Sequence, residues 1–179
     1  MEEKEFIEHL LNPKTQNEAF QQLLLNYQKP LYNHIRNIVL NHDDTHDVLQ
    51  NTFIKVFQHL KNFKGESKLF SWMYRIATNE AITFINQKAK RNGTTSEAMQ
   101  NKIVENLIAD PYFDGNAVEL KLQKAIAKLP QKQQLVFKMK YFEEIKYEDI
   151  SEILGTSVGA LKASYHYAVK KIEVFMTQD

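Results

Sequence analysis

The 179-residue sequence contains no cysteine. That excludes a disulfide framework and any thiolate metal site, and it fits a reducing compartment. Glycine and proline are scarce as well, at five and four residues. With no sustained alternation of apolar and polar residues, this scarcity predicts an all-α chain. No run approaches the ~20 apolar residues of a membrane span. The start, MEEKEFIEHLLN, is acidic and lacks the apolar stretch of a signal peptide. A cytoplasmic protein without membrane insertion is therefore expected. There is no Gly-rich phosphate loop and no serine-nucleophile motif, so neither catalytic residues nor a cofactor are expected, and an enzyme is not indicated. His42 and His46 stand four apart beside Asp43, Asp44 and Asp47. A metal site needs ligands converging from several elements, and the rest of the chain supplies no matching set.

The apolar content of 43% supports a packed core, while the net charge of +1 is small for a nucleic-acid binder. The charge is unevenly placed. Residues 1–91 hold 12 Lys/Arg against 10 Asp/Glu, residues 92–116 hold 1 against 4, and residues 117–179 hold 10 against 8. An acidic middle between two mildly basic ends predicts two small helical domains, 1–91 and 117–179, joined by a linker, 92–116, that reads as solvated slack with one short helical turn around Ile103, Leu107 and Ile108. Pro30 is expected to kink or break a long apolar pattern that runs from Phe20 to Ile38.

Within the first domain the stretch Phe63–Arg91 carries the strongest signal. Gly65 breaks the preceding helix and Ser67 is placed to cap the next. Leu69, Met73, Ile76, Ala77 and Phe84 form an inward face at helical spacing. The other face holds Lys68, Trp72, Arg75, Asn79 and Asn86, followed by Lys88, Lys90 and Arg91. An indole for stacking, cations for phosphates and amides for base edges suit an unstacked nucleic-acid strand. Just upstream, a helix from about His46 to Leu60 turns Leu49, Phe53, Val56, Phe57 and Leu60 inward. It shows Asp47, Asn51, Ile54 and Gln58 outward, with Gln50 at the flank, and such an acidic–amide–Ile stripe suits docking on a larger protein.

In the second domain Val118–Leu129 forms a helix stopped at Pro130, and Gln131–Phe142 a second. Ile150, Ile153 and Leu154 mark a short third, closed by Gly155 where positive φ is needed. Thr156-Ser157 caps a fourth, with the spine Val158, Leu161, Tyr165, Ala168 and Ile172. Short helix, tight turn and small-residue helix make a helix-turn-helix. Gly159, Ala160, Ala163, His166, Tyr167 and Lys170 face away from the spine, with Lys162 and Ser164 at the flanks.

Taken together these motifs resemble the extracytoplasmic-function (group 4) sigma factors of the bacterial sigma-70 family. Asp47-Val-Leu-Gln50-Asn-Thr-Phe53 is similar to the helix that docks on the beta-prime clamp helices of core RNA polymerase. Phe63–Ser67 and Phe70–Asn79 resemble the region that holds the melted −10 strand. Leu129–Gln133, Tyr147–Gly155 and the Ser157–Ile172 helix resemble the −35-reading domain. The resemblance implies a sigma factor for promoter recognition and transcription initiation, with no bond chemistry of its own. Its implied partners are promoter DNA, core RNA polymerase (beta-prime clamp helices and beta flap) and, as a further candidate, an anti-sigma factor. It implies polymerase contacts at Asp47, Gln50, Asn51, Ile54 and Gln58. The −10 contacts would come from Lys64, Ser67, Lys68, Trp72, Arg75, Asn79, Asn86, Lys88 and Arg91. The −35 contacts would come from Ser157, Lys162, Ser164, His166, Tyr167 and Lys170. Relatives usually carry Glu at position 51, Asp at 83, and Arg at 164 and 167, where this chain has Asn51, Thr83, Ser164 and Tyr167. The rival readings are a stand-alone helix-turn-helix regulator and a helical adaptor that binds only protein.

Overall fold

A computed structural model describes residues 1–178. Nine α-helices and no strand occur among these residues: α1 (Glu3–Leu11), α2 (Gln16–Val39), α3 (His42–His59), α4 (Leu69–Arg91), α5 (Ser96–Glu105), α6 (Ala117–Ala127), α7 (Gln131–Tyr141), α8 (Tyr147–Leu154) and α9 (Val158–Met176). The all-α reading holds, with several local differences. Pro30 sits inside an unbroken α2 on an exposed turn, where its missing N–H is tolerated. The third helix begins four residues earlier than expected, because the Asn41 side chain accepts from the Asp44 N–H at 2.9 Å. Ser67 does not cap α4. Glu3 of α1 does so from 66 residues away, its Oε1 accepting from the Leu69 N–H at 3.2 Å.

Helices α2, α3 and α4 pack against one another, with α1 laid along α2. Leu23, Leu31, Ile35, Val48, Val56, Leu69, Met73 and Ala77 form the centre of their core. This core does not stop at the end of α4. It continues through Leu135 and Met139 of α7, Ile150 and Ile153 of α8 and Leu161 of α9. A smaller cluster, Ala125, Ile126, Leu129, Phe137, Ala168 and Ile172, ties α6, α7 and α9 together.

Nor is the middle segment slack. Helix α5 is a full helix, opened by the Thr95 side chain accepting from the Ala98 N–H at 3.1 Å, and it buries Met99 and Val104. Gln100 and Gln134 exchange side-chain hydrogen bonds between α5 and α7. After α5, Arg36 of α2 donates to Asp110 at 3.4 Å, and Tyr112 stacks on His42 at 3.7 Å between ring centres. His42 and His46 thus belong to an aromatic cluster with Tyr32 and Tyr112. The sequence signal for α5 was its capping Thr95 ahead of Met99, Ile103 and Val104, obscured by turn formers on both sides. Among the described residues two non-glycine residues adopt positive φ: Leu40, at +67° in the α2–α3 corner, and Glu144, at +53° between α7 and α8. Leu40 is buried against Val104 and Ala127.

Candidate nucleic-acid interface

On α4 the heptad spacing sets the stripe Lys68, Trp72, Arg75, Asn79 and Asn86 along one side of the helix. Lys68, Arg75, Asn79 and Asn86 are exposed and Trp72 is half-buried, its ring 5.0 Å from that of Phe63. Lys64 and Arg91 are exposed at the two ends, and Ser67 is partly covered. Several of these groups are already engaged. Lys68 Nζ donates to Asp149 of α8 at 2.9 Å, and Asp149, with Glu152 and Glu3 around it, raises the Lys68 pKa. Asn86 Oδ1 accepts from Ser96 at 2.7 Å, and Lys88 is tied to Asp44 of α3. Lys88 therefore braces the α3–α4 pair in this conformation.

The outward side of α3 is as the sequence suggests: Asp47, Gln50, Asn51, Ile54 and Gln58 are all exposed, Ile54 at 48%. Phe57 is different. Expected inside, it is 44% exposed and meets Phe20 edge-on at 5.0 Å. It stands three residues after Ile54, so the two make a continuous apolar strip bordered by amides. Helical phase alone puts Phe57 at the boundary of the inner face.

In the last helices Gly155 takes φ +67° at the end of α8, and the Ser157 side chain accepts from the Ala160 N–H at 3.3 Å to open α9. The helix-turn-helix is formed as the sequence implies. Lys162, His166, Tyr167 and Lys170 are exposed, with Gly159, Ala160 and Ala163 giving a low profile near the α9 N-terminus. Ser157 is occupied as a cap. Ser164 is only partly exposed and turns toward α4, where it lines a narrow cleft with Arg75 and Asn79.

This architecture matches known proteins closely enough to name its family. The pattern described as Sigma-70 region 2 matches residues 23–91, and Sigma-70, region 4 matches residues 119–172. The chain is 32% identical over 165 residues to the ECF RNA polymerase sigma factor SigW of Bacillus subtilis, an alignment covering 86% of each protein. The chain belongs to the extracytoplasmic-function (ECF) sigma factors. It is also 28% identical over 163 residues to the RNA polymerase sigma-H factor of Pseudomonas aeruginosa, covering 87% of this chain and 84% of that one. In fold it is similar to CnrH, solved in complex with the cytosolic domain of CnrY, with a TM-score of 0.69 at 18% identity over 97% of this chain and 96% of the other. The sigma factor RpoE of Bartonella quintana, solved with the anti-sigma factor NepR, gives 0.66 at 22% identity over 90% and 99%. Membership makes this chain a transcription initiation factor for promoter recognition and sets aside the two rival readings. No helix among the described residues is long and apolar enough to cross a membrane.

Proposed function

We propose a division of labour among three surfaces of this sigma factor. Helix α3 docks on the beta-prime clamp helices of core polymerase through Asp47, Gln50, Asn51 and Gln58, with Ile54 and Phe57 as the apolar centre. The α4 stripe, from Lys64 and Ser67 through Lys68, Trp72, Arg75, Asn79 and Asn86 to Arg91, lies along the melted −10 strand. Helix α9 enters the −35 major groove, with Lys162 and Lys170 meeting phosphates and His166 and Tyr167 near base edges. The segment 92–116 passes between them, threading through polymerase near the RNA exit path, and the beta flap is a further contact of the chain on polymerase. The observation that carries this reading is that the two exposed stripes, on α4 and α9, fall one in each of the two sigma-70 regions matched.

Helix α9 lacks arginine at positions 164 and 167, so its hold on duplex DNA is weak and depends on polymerase fixing both ends at once. An anti-sigma factor, by analogy with the Bartonella relative, is a further partner. The role is one of binding and positioning, without catalysis or a cofactor. Run-off transcription with purified core polymerase tests it. Templates carrying both elements should yield defined transcripts, and the Arg75→Ala/Asn79→Ala variant should bind core normally yet fail to open them. Normal opening by that variant would remove α4 from the −10 site.

A further inference from the structure

Helix α9 is short of the side chains that read a base by two hydrogen bonds at once. Its sequence, VGALKASYHYAVKKIEVFM, contains no arginine, asparagine or glutamine. An arginine grips guanine O6 and N7 together, and an amide grips adenine N6 and N7, so neither purine meets its usual bidentate reader here. Ser164 and His166 offer single hydrogen bonds, which fit more than one base. Lysine also reaches guanine, but the two lysines nearest the outer face are placed elsewhere. Lys162 Nζ lies over the Tyr147 ring of α8 at 5.8 Å, a ring that also holds Lys140 Nζ at 4.5 Å, so it is drawn to the flank. Lys170 comes two turns after Ala163, about 10 Å farther along the axis and away from the N-terminal part that meets base edges.

What the outer face presents instead is apolar. Ala160, Ala163 and Tyr167 follow at steps of three and four, so they share one side of the helix. All three are exposed, Tyr167 at 58%, with its ring set edge-on to that of His166 at 6.0 Å between centres. From Ala160 to Tyr167 the helix rises about 10 Å, the length of about three base pairs at ~3.4 Å each. Gly159 stands beside them. It does not take positive φ, and a methyl added to it would touch nothing in the chain. Neither backbone geometry nor internal packing asks for glycine there, and what its bare backbone allows is close approach from outside. Two alanine methyls followed by an aromatic ring match one feature of the major groove, the C5 methyl of thymine, which only A·T pairs carry.

We propose that α9 reads its promoter element through thymine methyls, with Ala160, Ala163 and Tyr167 as the specificity-determining residues. This rests on the reading of α9 as the −35 helix. The contact is strand-specific, because the methyl falls under a side chain only when thymine stands on the nearer strand of its pair. A methyl withdrawn from water is worth about fourfold in affinity, and three together about sixtyfold. Such a modest preference suits a helix whose hold on duplex DNA depends on polymerase. The lysines add affinity without sequence, since a phosphate is the same at every step.

The test uses holoenzyme, the chain bound to purified core polymerase, with a pool of duplexes randomised across the upstream element. Bound duplexes should be enriched in a short A·T run with thymines at fixed positions. Deoxyuridine in place of each of those thymines removes only the methyl, and should weaken binding about fourfold per site. Replacing any guanine of the element by 7-deazaguanine, which lacks the N7 acceptor, should leave binding unchanged. Tyr167→Arg, at an exposed position, should move the preference at the pair it faces from thymine to guanine. An element dominated by guanine would overturn the proposal. So would a thymine-rich element bound equally well as its deoxyuridine copy, which is the mark of readout by groove shape. If Tyr167→Arg shifts the enriched sequence while deoxyuridine has no effect, α9 is at the element and only the methyl readout fails. If Tyr167→Arg leaves the sequence unchanged and Lys170→Ala leaves the salt slope unchanged, the placing of α9 at −35 fails, and the proposal with it.

Discussion

Lys138 offers a quantitative check on how the halves are packed. It is 3% exposed on the inner side of α7, and burial lowers its pKa from 10.5 to about 8, against the opposing charge of Glu143. Below pH 8 the lysine is charged in both folded and unfolded chains, and the fold bears the full cost of the buried ammonium. Between 8 and 10.5 the folded protein has released the proton while the unfolded chain still holds it. The unfolded state then binds more protons, so stability rises with pH. Integrating from pH 7 to 10 gives a gain of about 2–3 kcal/mol, steepest near pH 9 at about 1 kcal/mol per pH unit. Above pH 10 the sign reverses. Burial raises the Tyr74 pKa, so its contribution is complete below 10 and is lost as pH climbs toward the folded value. Urea denaturation at half-unit steps from pH 7 to 10, for the parent and Lys138→Met, isolates the effect. Methionine fills nearly the same volume without a charge, so the stability difference between the two proteins should shift by about 2–3 kcal/mol in favour of the parent across this range. A difference that stays flat would show that the ammonium reaches water, and that the inner side of α7 is not sealed.

Three further outcomes follow from the geometry. Asp47→Arg with Ile54→Asp should leave the melting temperature near that of the parent, since both side chains are exposed, yet abolish co-elution with core polymerase; retained co-elution would move the docking face elsewhere. Trp72→Ala should both slow promoter opening and destabilise the free protein, the latter by less than the ~3–5 kcal/mol of a fully buried ring because Trp72 is half-buried; a stable variant that opens promoters at the parent rate would refute the contact. Glu144→Gly should raise the urea midpoint by about 1 kcal/mol equivalent, because glycine takes the +53° φ without strain.

The parts of the fold that local chemistry dictates were legible. Apolar spacing placed α4, spacing and caps placed the Gly155 turn and α9, and the outward residues of α3 and α9 followed from helical phase. What the sequence hid were contacts between distant residues. Glu3 capping Leu69 and His34 meeting Glu143 span 66 and 109 positions, and no periodic pattern reports such pairs. Reading 92–116 by composition gave slack, because acidic residues and turn formers outweigh the three apolar side chains that dock α5. Of the α4 stripe, residue identities and most exposures were readable. That Lys68, Asn86 and Lys88 have partners within the chain was not, since each partner lies on another element.

The left-handed Leu40 has a consequence beyond its corner. A leucine at φ +67° is held there by what covers its side chain, namely Val104 from α5 and Ala127 at the end of α6. Remove that cover and the same residue is both strained and wet, so the corner will relax toward another backbone shape. The first turn of α3 begins two residues later and leads directly to Asp47. Loss of that cover is therefore felt at the start of α3, and a shift of α3 is felt in return by the segment that covers Leu40. The two events share one hinge, so they trade free energy in both directions.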